Sequence, residues 1–134
     1  MRNPINISGN RLETNIRNWL DTNSMAYTKS KAGPKGDIDY IIHSTYGDIY
    51  IECANQNSKG SVMDKIPHKV FKYWIRYRMK EIYIVRGKWG RFSGSILEHL
   101  EHLKKTCSID IKIVSFEEII NVLKTTEIKE NKFF

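Results

Sequence analysis

Cysteine is scarce in this chain. Cys53 and Cys107 are the only two among 134 residues. That is too few for the disulfide framework of a small secreted domain or for a CxxC metal knuckle, so a reducing cytoplasm is the expected setting. Long apolar runs are missing too: nothing approaches the roughly 20 residues that a bilayer-spanning helix needs. The stretch from Met1 to Asn10 is polar, without the apolar segment of a signal peptide. Neither an internal repeat nor a low-complexity tract is visible, which argues against a solenoid. The four histidines lack a metal-binding rhythm. His99 and His102 flank Leu100 and alternate with Glu98 and Glu101, the pattern of a solvated helix face.

What is present is enough for one folded domain. The chain is 40% hydrophobic, with three Trp, seven Tyr and five Phe, ample for a single buried core and contrary to disorder. Lys and Arg number 22 against 15 Asp and Glu, a formal charge of +7. An excess of that sign suits a polyanionic partner, because cations that neutralise phosphates release condensed counterions.

Periodicity orders the elements. Leu12, Ile16, Trp19 and Leu20 recur at helical spacing and predict a first helix over 9–22. Ala26 to Lys31 reads as a short strand closed by Gly33-Pro34-Lys35-Gly36. Asp39 to His43 and Asp48 to Cys53 form a hairpin signature around Ser44-Thr45-Tyr46-Gly47. After Ser58-Lys59-Gly60-Ser61, the apolar residues Val62, Ile66, Val70, Tyr73 and Trp74 follow at helical spacing; Pro67 interrupts them and suits a first turn, which places the start near Lys65. Glu81 to Arg86 is a buried strand, Ile96 to Leu103 a helix, and Ile109 to Val114 a strand. Ser115 and Glu118 form a capping box for the last helix. The charged tail, 125–134, is expected to fray. The order α-β-β-β-α-β-α-β-α implies an α/β fold with a mixed central β-sheet flanked by helices, in one domain spanning 1–134.

The chemistry sits in Asp37-Ile38-Asp39-Tyr40 and Ile49-Tyr50-Ile51-Glu52-Cys53-Ala54-Asn55-Gln56. Side chains alternate along a strand, so Ile49 and Ile51 share one face and Tyr50, Glu52 and Ala54 the other. With Asp39 opening the paired strand, its carboxylate and that of Glu52 converge at one end of the hairpin. Two hard carboxylates together suit Mg²⁺, which retains waters and accepts phosphate oxygens. A carboxylate inside an apolar strand, as Glu52 is, costs too much to bury unless paired or metal-bound.

Asp39, twelve intervening residues, then Glu52-Cys53-Ala54 resembles the PD-(D/E)xK nuclease superfamily, with Ala54 where that family has lysine. Glu13 matches a first-helix glutamate of many members, and Gln56 a glutamine found in some. Gly60 to Pro67 is similar to the turn into the core helix of restriction-endonuclease-like members. The resemblance implies a restriction-endonuclease-like fold. It also implies metal ligation by Glu13, Asp39, Glu52 and the backbone carbonyl of Cys53, with Gln56 supporting the site. Asp37 replaces Asp39 if the alignment slips by two. Glu13 has a competing role, because Asn10-Arg11-Leu12-Glu13 is itself a capping-box sequence. Cys53 also reads as a small core residue.

A methyl at position 54 cannot do what the family's lysine does. Three explanations stand: an engineered substitution in an otherwise intact motif, which is the favoured one and makes this chain inactive; a lysine moved elsewhere, to Lys59 or Lys65; or a natural binding module without catalysis. The cations expected on nucleic acid are Lys35, Lys59, Lys65, Arg76, Lys88 and Arg91. The last two lie in the Gly-containing loop Arg86-Gly87-Lys88-Trp89-Gly90-Arg91, where glycine allows close backbone approach and arginine reads phosphates or guanine. The expectation is therefore a Mg²⁺-dependent endonuclease of double-stranded DNA, with Mn²⁺ substituting. It is expected to be restriction-like and homodimeric, because cutting both strands takes two sites. A junction-resolving or homing nuclease of the same fold is the alternative substrate class. The alternative outside enzymes is a silent DNA-binding module, and an RNA nuclease is a weaker one.

Overall fold

A computed structural model describes residues 4–29, 38–45, 47–54, 65–87 and 92–131, with 4–11 and 127–131 described in backbone only. The elements along the chain are α1 (Pro4–Thr22), β1 (Tyr27–Lys29), β2 (Tyr40–Ser44), β3 (Gly47–Ala54), α2 (Ile66–Tyr77), β4 (Glu81–Arg86), α3 (Gly94–Cys107), β5 (Asp110–Val114) and α4 (Phe116–Asn131). The expected order holds, and the sheet is mixed as expected. Its five strands lie in sequence order. β1, β2 and β3 are antiparallel neighbours, while β3, β4 and β5 run parallel.

Each parallel step needs a crossover, and α2 and α3 supply the two. Both lie on the same face, as two right-handed connections progressing in one direction require. Ile66, Val70 and Tyr73 of α2 and Ile96, Leu100 and Leu103 of α3 pack there against Ala54, Ile82, Ile84 and Ile111. The opposite face carries Leu12, Ile16 and Leu20 of α1 and Ile119, Ile120 and Leu123 of α4, over Tyr40, Ile42, Ile51, Cys53, Tyr83 and Val85. Strand alternation divides the sheet's apolar residues between these two cores. Covered on both faces, β4 can be the near-continuous apolar run Ile82-Tyr83-Ile84-Val85.

Helix boundaries differ from the sequence reading in instructive places. α1 begins at Pro4, well before residue 9, so Asn10 is inside the helix and the Asn10–Glu13 capping box does not open it. α2 starts where Pro67 placed it: Lys65 is the N-cap and the proline occupies the first turn. The Ser115–Glu118 capping box is formed reciprocally, with Glu118 N–H donating to Ser115 Oγ at 3.1 Å and Ser115 N–H to Glu118 Oε1 at 3.0 Å. α4 is helical past Thr125, as far as Asn131.

Candidate active site

Register brings the acids together. Tyr40 faces Ile51 across the β2–β3 ladder, so the next step places Asp39, just before β2, beside Glu52. Two hydrogen bonds lock that step. Asp39 N–H donates to Glu52 Oε1 at 3.2 Å, and Cys53 N–H donates to Asp39 Oδ2 at 2.8 Å. Each carboxylate thus braces the backbone of the other's strand, and both side chains are held by the sheet rather than by a loop.

Glu52 is the only buried charged residue among those described, at 2% exposure. The side chain lies on the α2 face, and α2 provides the remaining partners. Tyr73 Oη donates to Oε1 at 3.1 Å, while Lys69 Nζ approaches Oε2 at 3.4 Å. Lys69 and Tyr73 are one helical turn apart, so they share a side of the helix. Glu52 is consequently satisfied at both oxygens although it is cut off from water, the condition under which such a group is tolerated.

Burial pushes the Glu52 carboxyl up to about 8, with repulsion from Asp39 adding and the Lys69 cation opposing. The Asp39 carboxyl is raised as well. Burial is the main cause and the charge of Glu13 adds to it, while the Cys53 N–H and Lys69 pull the other way. Together these shifts describe two neighbouring carboxyls that have lost their hydration, and a bound cation would favour their charged forms.

Glu13 arrives from α1 on the other side of the hairpin. Its Oε2 is 3.5 Å from Lys29 Nζ, and its backbone carbonyl accepts from Tyr40 Oη at 2.9 Å. Lys29 also lies over the Tyr40 ring, 4.6 Å from the centroid. A carboxylate oxygen of Glu13, one of Asp39 and the Cys53 sulfur lie within 4.8 Å of one another. The resemblance points to the Cys53 carbonyl; the side chain is what joins this cluster. Burial and the neighbouring acids keep the thiol's pKa well above its usual value, so it contributes no negative charge of its own.

Ala54 lies at the end of β3 on the Glu52 face and is fully enclosed, at 0% exposure. Of the expected nucleic-acid contacts, Lys65 and Arg76 are exposed on α2. Lys35, Asp37, Gln56, Lys59, Lys88 and Arg91 lie outside the described residues. Two site residues escaped the sequence reading. Tyr73 reads as core, which its burial bears out, but its hydroxyl ends on Glu52. Lys69 goes unmarked in the sequence, where Lys59 and Lys65 stand as the candidates. The available signal was its position four residues before Tyr73, on the flank of an apolar helix face. His99 and His102 are exposed, in keeping with a solvated face.

Among the described residues, no helix is long and apolar enough to cross a membrane. No curated protein and no solved structure matches the chain significantly. A family model does, described as the PD-(D/E)XK nuclease superfamily domain, and it matches residues 5–130. That match runs through every strand of the sheet and both arms of the acidic hairpin, and on it the chain belongs to the PD-(D/E)XK nuclease superfamily.

Proposed function

We propose that this chain is a divalent-metal-dependent DNA endonuclease, restriction-like in substrate and acting as a homodimer. The observation that carries the reading is the gathering of acids about Asp39 at one end of the β2–β3 hairpin: hydrogen bonds set Asp39 beside Glu52, and a carboxylate oxygen of Asp39 lies within 4.8 Å of one of Glu13. The donor set is chiefly hard carboxylate oxygen, which suits Mg²⁺, with Mn²⁺ as a substitute. Asp39 and Glu52 would hold the ion, with Glu13 and the backbone carbonyl of Cys53 as further ligands. When bound, such an ion offsets charge on the scissile phosphate and favours hydroxide formation from water at neutral pH.

The chain's own residues prepare that chemistry. The paired strands hold Asp39 and Glu52 in fixed register, and Tyr73 Oη orients Glu52 through Oε1. Helix α2 offers a track for the DNA backbone. Lys65, Lys69, Lys72 and Arg76 follow one another at steps of four, three and four, so at 3.6 residues per turn they fall within an arc of roughly 60°. Such a stripe fits a phosphate backbone, whose neutralisation supplies most non-specific affinity. Because one domain carries one such site, double-strand cleavage takes two copies.

The test is cleavage of high-complexity genomic duplex DNA and of a four-way junction in Mg²⁺, comparing the chain with Asp39→Asn. Metal-dependent cutting that Asp39→Asn abolishes is expected. Preference for the duplex at fixed sites identifies a restriction-like enzyme, and preference for the junction a resolvase. DNA binding that is equal with and without Mg²⁺ or Ca²⁺, and never followed by cutting in either the chain or Ala54→Lys, would mark a binding module and end the nuclease reading.

A further inference from the structure

Lysine is missing from position 54, yet the Glu52 carboxylate has a lysine against it. We propose that Lys69 supplies from α2 the cation that Ala54 cannot, so that this chain is a competent nuclease as it stands. The inference rests on the nuclease reading above and deepens it by naming the group that faces the reacting phosphate.

Three observations carry it. First, the two oxygens of Glu52 are divided by function. Oε1 takes the Asp39 N–H and the Tyr73 hydroxyl, whereas Oε2 faces Lys69 Nζ at 3.4 Å. Second, the burial of this pair is lopsided: Glu52 is 2% exposed and Lys69 38%. The lysine therefore links the buried carboxylate to the solvent side, from which a phosphate must arrive. Third, position 54 is closed off from solvent. Ala54 is fully enclosed, and Ile66, Val70 and Tyr73 of α2 belong to the same packed cluster. The helix packs over that position and presents its own lysine one turn before Tyr73. Lys69 also lies in the basic stripe of α2, so a backbone following Lys65, Lys72 and Arg76 passes it.

Its role follows from the bond changes of hydrolysis. The water oxygen bonds to phosphorus and one ester P–O bond breaks. One water proton ends on the leaving oxygen and the other passes to solvent from the new phosphate monoester. Negative charge builds on the phosphoryl oxygens and the leaving oxygen during this exchange. An ammonium fixed beside Glu52 faces that charge and stabilises it, and no other described side chain contacting Glu52 is cationic.

The experiment compares the parent chain, Lys69→Met, Lys69→Gln and Ala54→Lys, the last alone and combined with Lys69→Met. Single-turnover cleavage of genomic duplex and four-way-junction DNA is measured at saturating Mn²⁺. Mn²⁺ affinity by calorimetry and folding by circular dichroism are measured alongside. The parent is expected to cut. Both Lys69 variants should fold and cut about 10²–10³-fold more slowly, the usual cost of one preorganised electrostatic contact. They should bind Mn²⁺ no more weakly than the parent, because an ammonium competes with the ion for Glu52. Restoration of cutting in the double variant would show the cation to be portable between the two positions.

Parent-like rates in folded Lys69→Met or Lys69→Gln overturn the inference. So does a loss of Mn²⁺ binding that accompanies the loss of cutting, since the lysine would then only shape the metal site. A parent that is inert while Ala54→Lys cuts also overturns it, but leaves the nuclease reading intact. If neither the parent nor Ala54→Lys cuts or binds Mn²⁺, the nuclease reading itself fails.

Discussion

Strand β3 carries two acids four residues apart, and they live in different physical worlds. Asp48, near the turn, is 43% exposed and pairs with His43 at 3.0 Å. Glu52, near the other end, is 2% exposed and pairs with Lys69 at the longer distance of 3.4 Å. Distance alone would rank the His43–Asp48 contact as the stronger. Burial reverses the order. Near the turn, water and salt screen any charge, and even a fully charged exposed pair contributes only about 0.2–1 kcal/mol. At Glu52 the carboxylate has given up its hydration, so every partner it keeps counts for more, and leaving one out costs more. A protein gains little stability from such a group. Its value lies in chemistry that a solvated carboxylate performs poorly.

The comparison is most sharply tested by activity. Glu52→Gln keeps the shape and removes the charge, and is expected to lower metal-dependent cleavage at least about 10²–10³-fold. Asp48→Asn makes the same chemical change on the same strand and should leave the rate within about twofold of the parent. Single-turnover cleavage in Mg²⁺ reads both. Equal losses in the two variants would mean that the β2–β3 hairpin acts as a scaffold and that the Glu52 end is not the reacting end.

The next largest effect is on stability against pH without metal. An ordinary glutamate in the unfolded chain ionises near pH 4.5, whereas folded Glu52 is pushed up to about 8. The folded chain therefore holds a proton that the unfolded chain has lost. Its contribution is fully present below pH 4.5 and is lost as pH rises through about 8, at no more than about 1.4 kcal/mol per pH unit. Asp39, also raised, acts in the same direction. Thermal unfolding in a chelator at pH 5 and pH 8 should show a smaller drop for Glu52→Gln than for the parent, and Mn²⁺ should restore the parent at pH 8. Identical drops would show that Glu52 ionises as freely as a surface acid.

Below that in size comes the loss of the Lys69 cation. Lys69→Met should cost about 1–3 kcal/mol in metal-free protein at pH 8. That is less than the 3–5 kcal/mol of breaking a fully buried pair, because the lysine is 38% exposed and Glu52 can take up a proton instead. Chemical denaturation with an unchanged slope measures it. A change below about 0.3 kcal/mol would place this pair with the exposed ones.

Much of this arrangement was legible from residue order. Alternation and helical spacing place the nine elements found among the described residues, because a two-sided core leaves an apolar imprint on each strand and on one face of each helix. Asp39 and Glu52 stand out because acids are costly beside apolar runs. Glu13 was harder to read, since a capping box and a site carboxylate share one local pattern; only the start of α1 at Pro4 separates them. Lys69 was not legible as a site residue. α2 carries several cations on one flank, and which of them meets Glu52 depends on the angle at which the helix crosses the sheet, a property of the packed core and not of local sequence. Tyr73 shows the same limit. Its ring satisfies the apolar pattern, and the pattern is silent about where its hydroxyl ends.

The smallest expected effect is at the turn end, and it tests the comparison from its weak side. His43 Nδ1 meets Asp48 at 3.0 Å while its Nε2 lies 2.7 Å from the Thr28 hydroxyl, so three adjacent strands are linked across an exposed surface. The geometry is good, but each group can exchange its partner for water at little cost. His43→Ala should change unfolding free energy by no more than about 0.5–1 kcal/mol, and Asp48→Asn by less, with both effects shrinking as salt is raised. A double-mutant cycle in low and high salt isolates the pair. A coupling above about 1.5 kcal/mol that survives high salt would mean the exposed end is as tightly held as the buried one, and burial would no longer explain why one acid of β3 is poised for chemistry and the other is not.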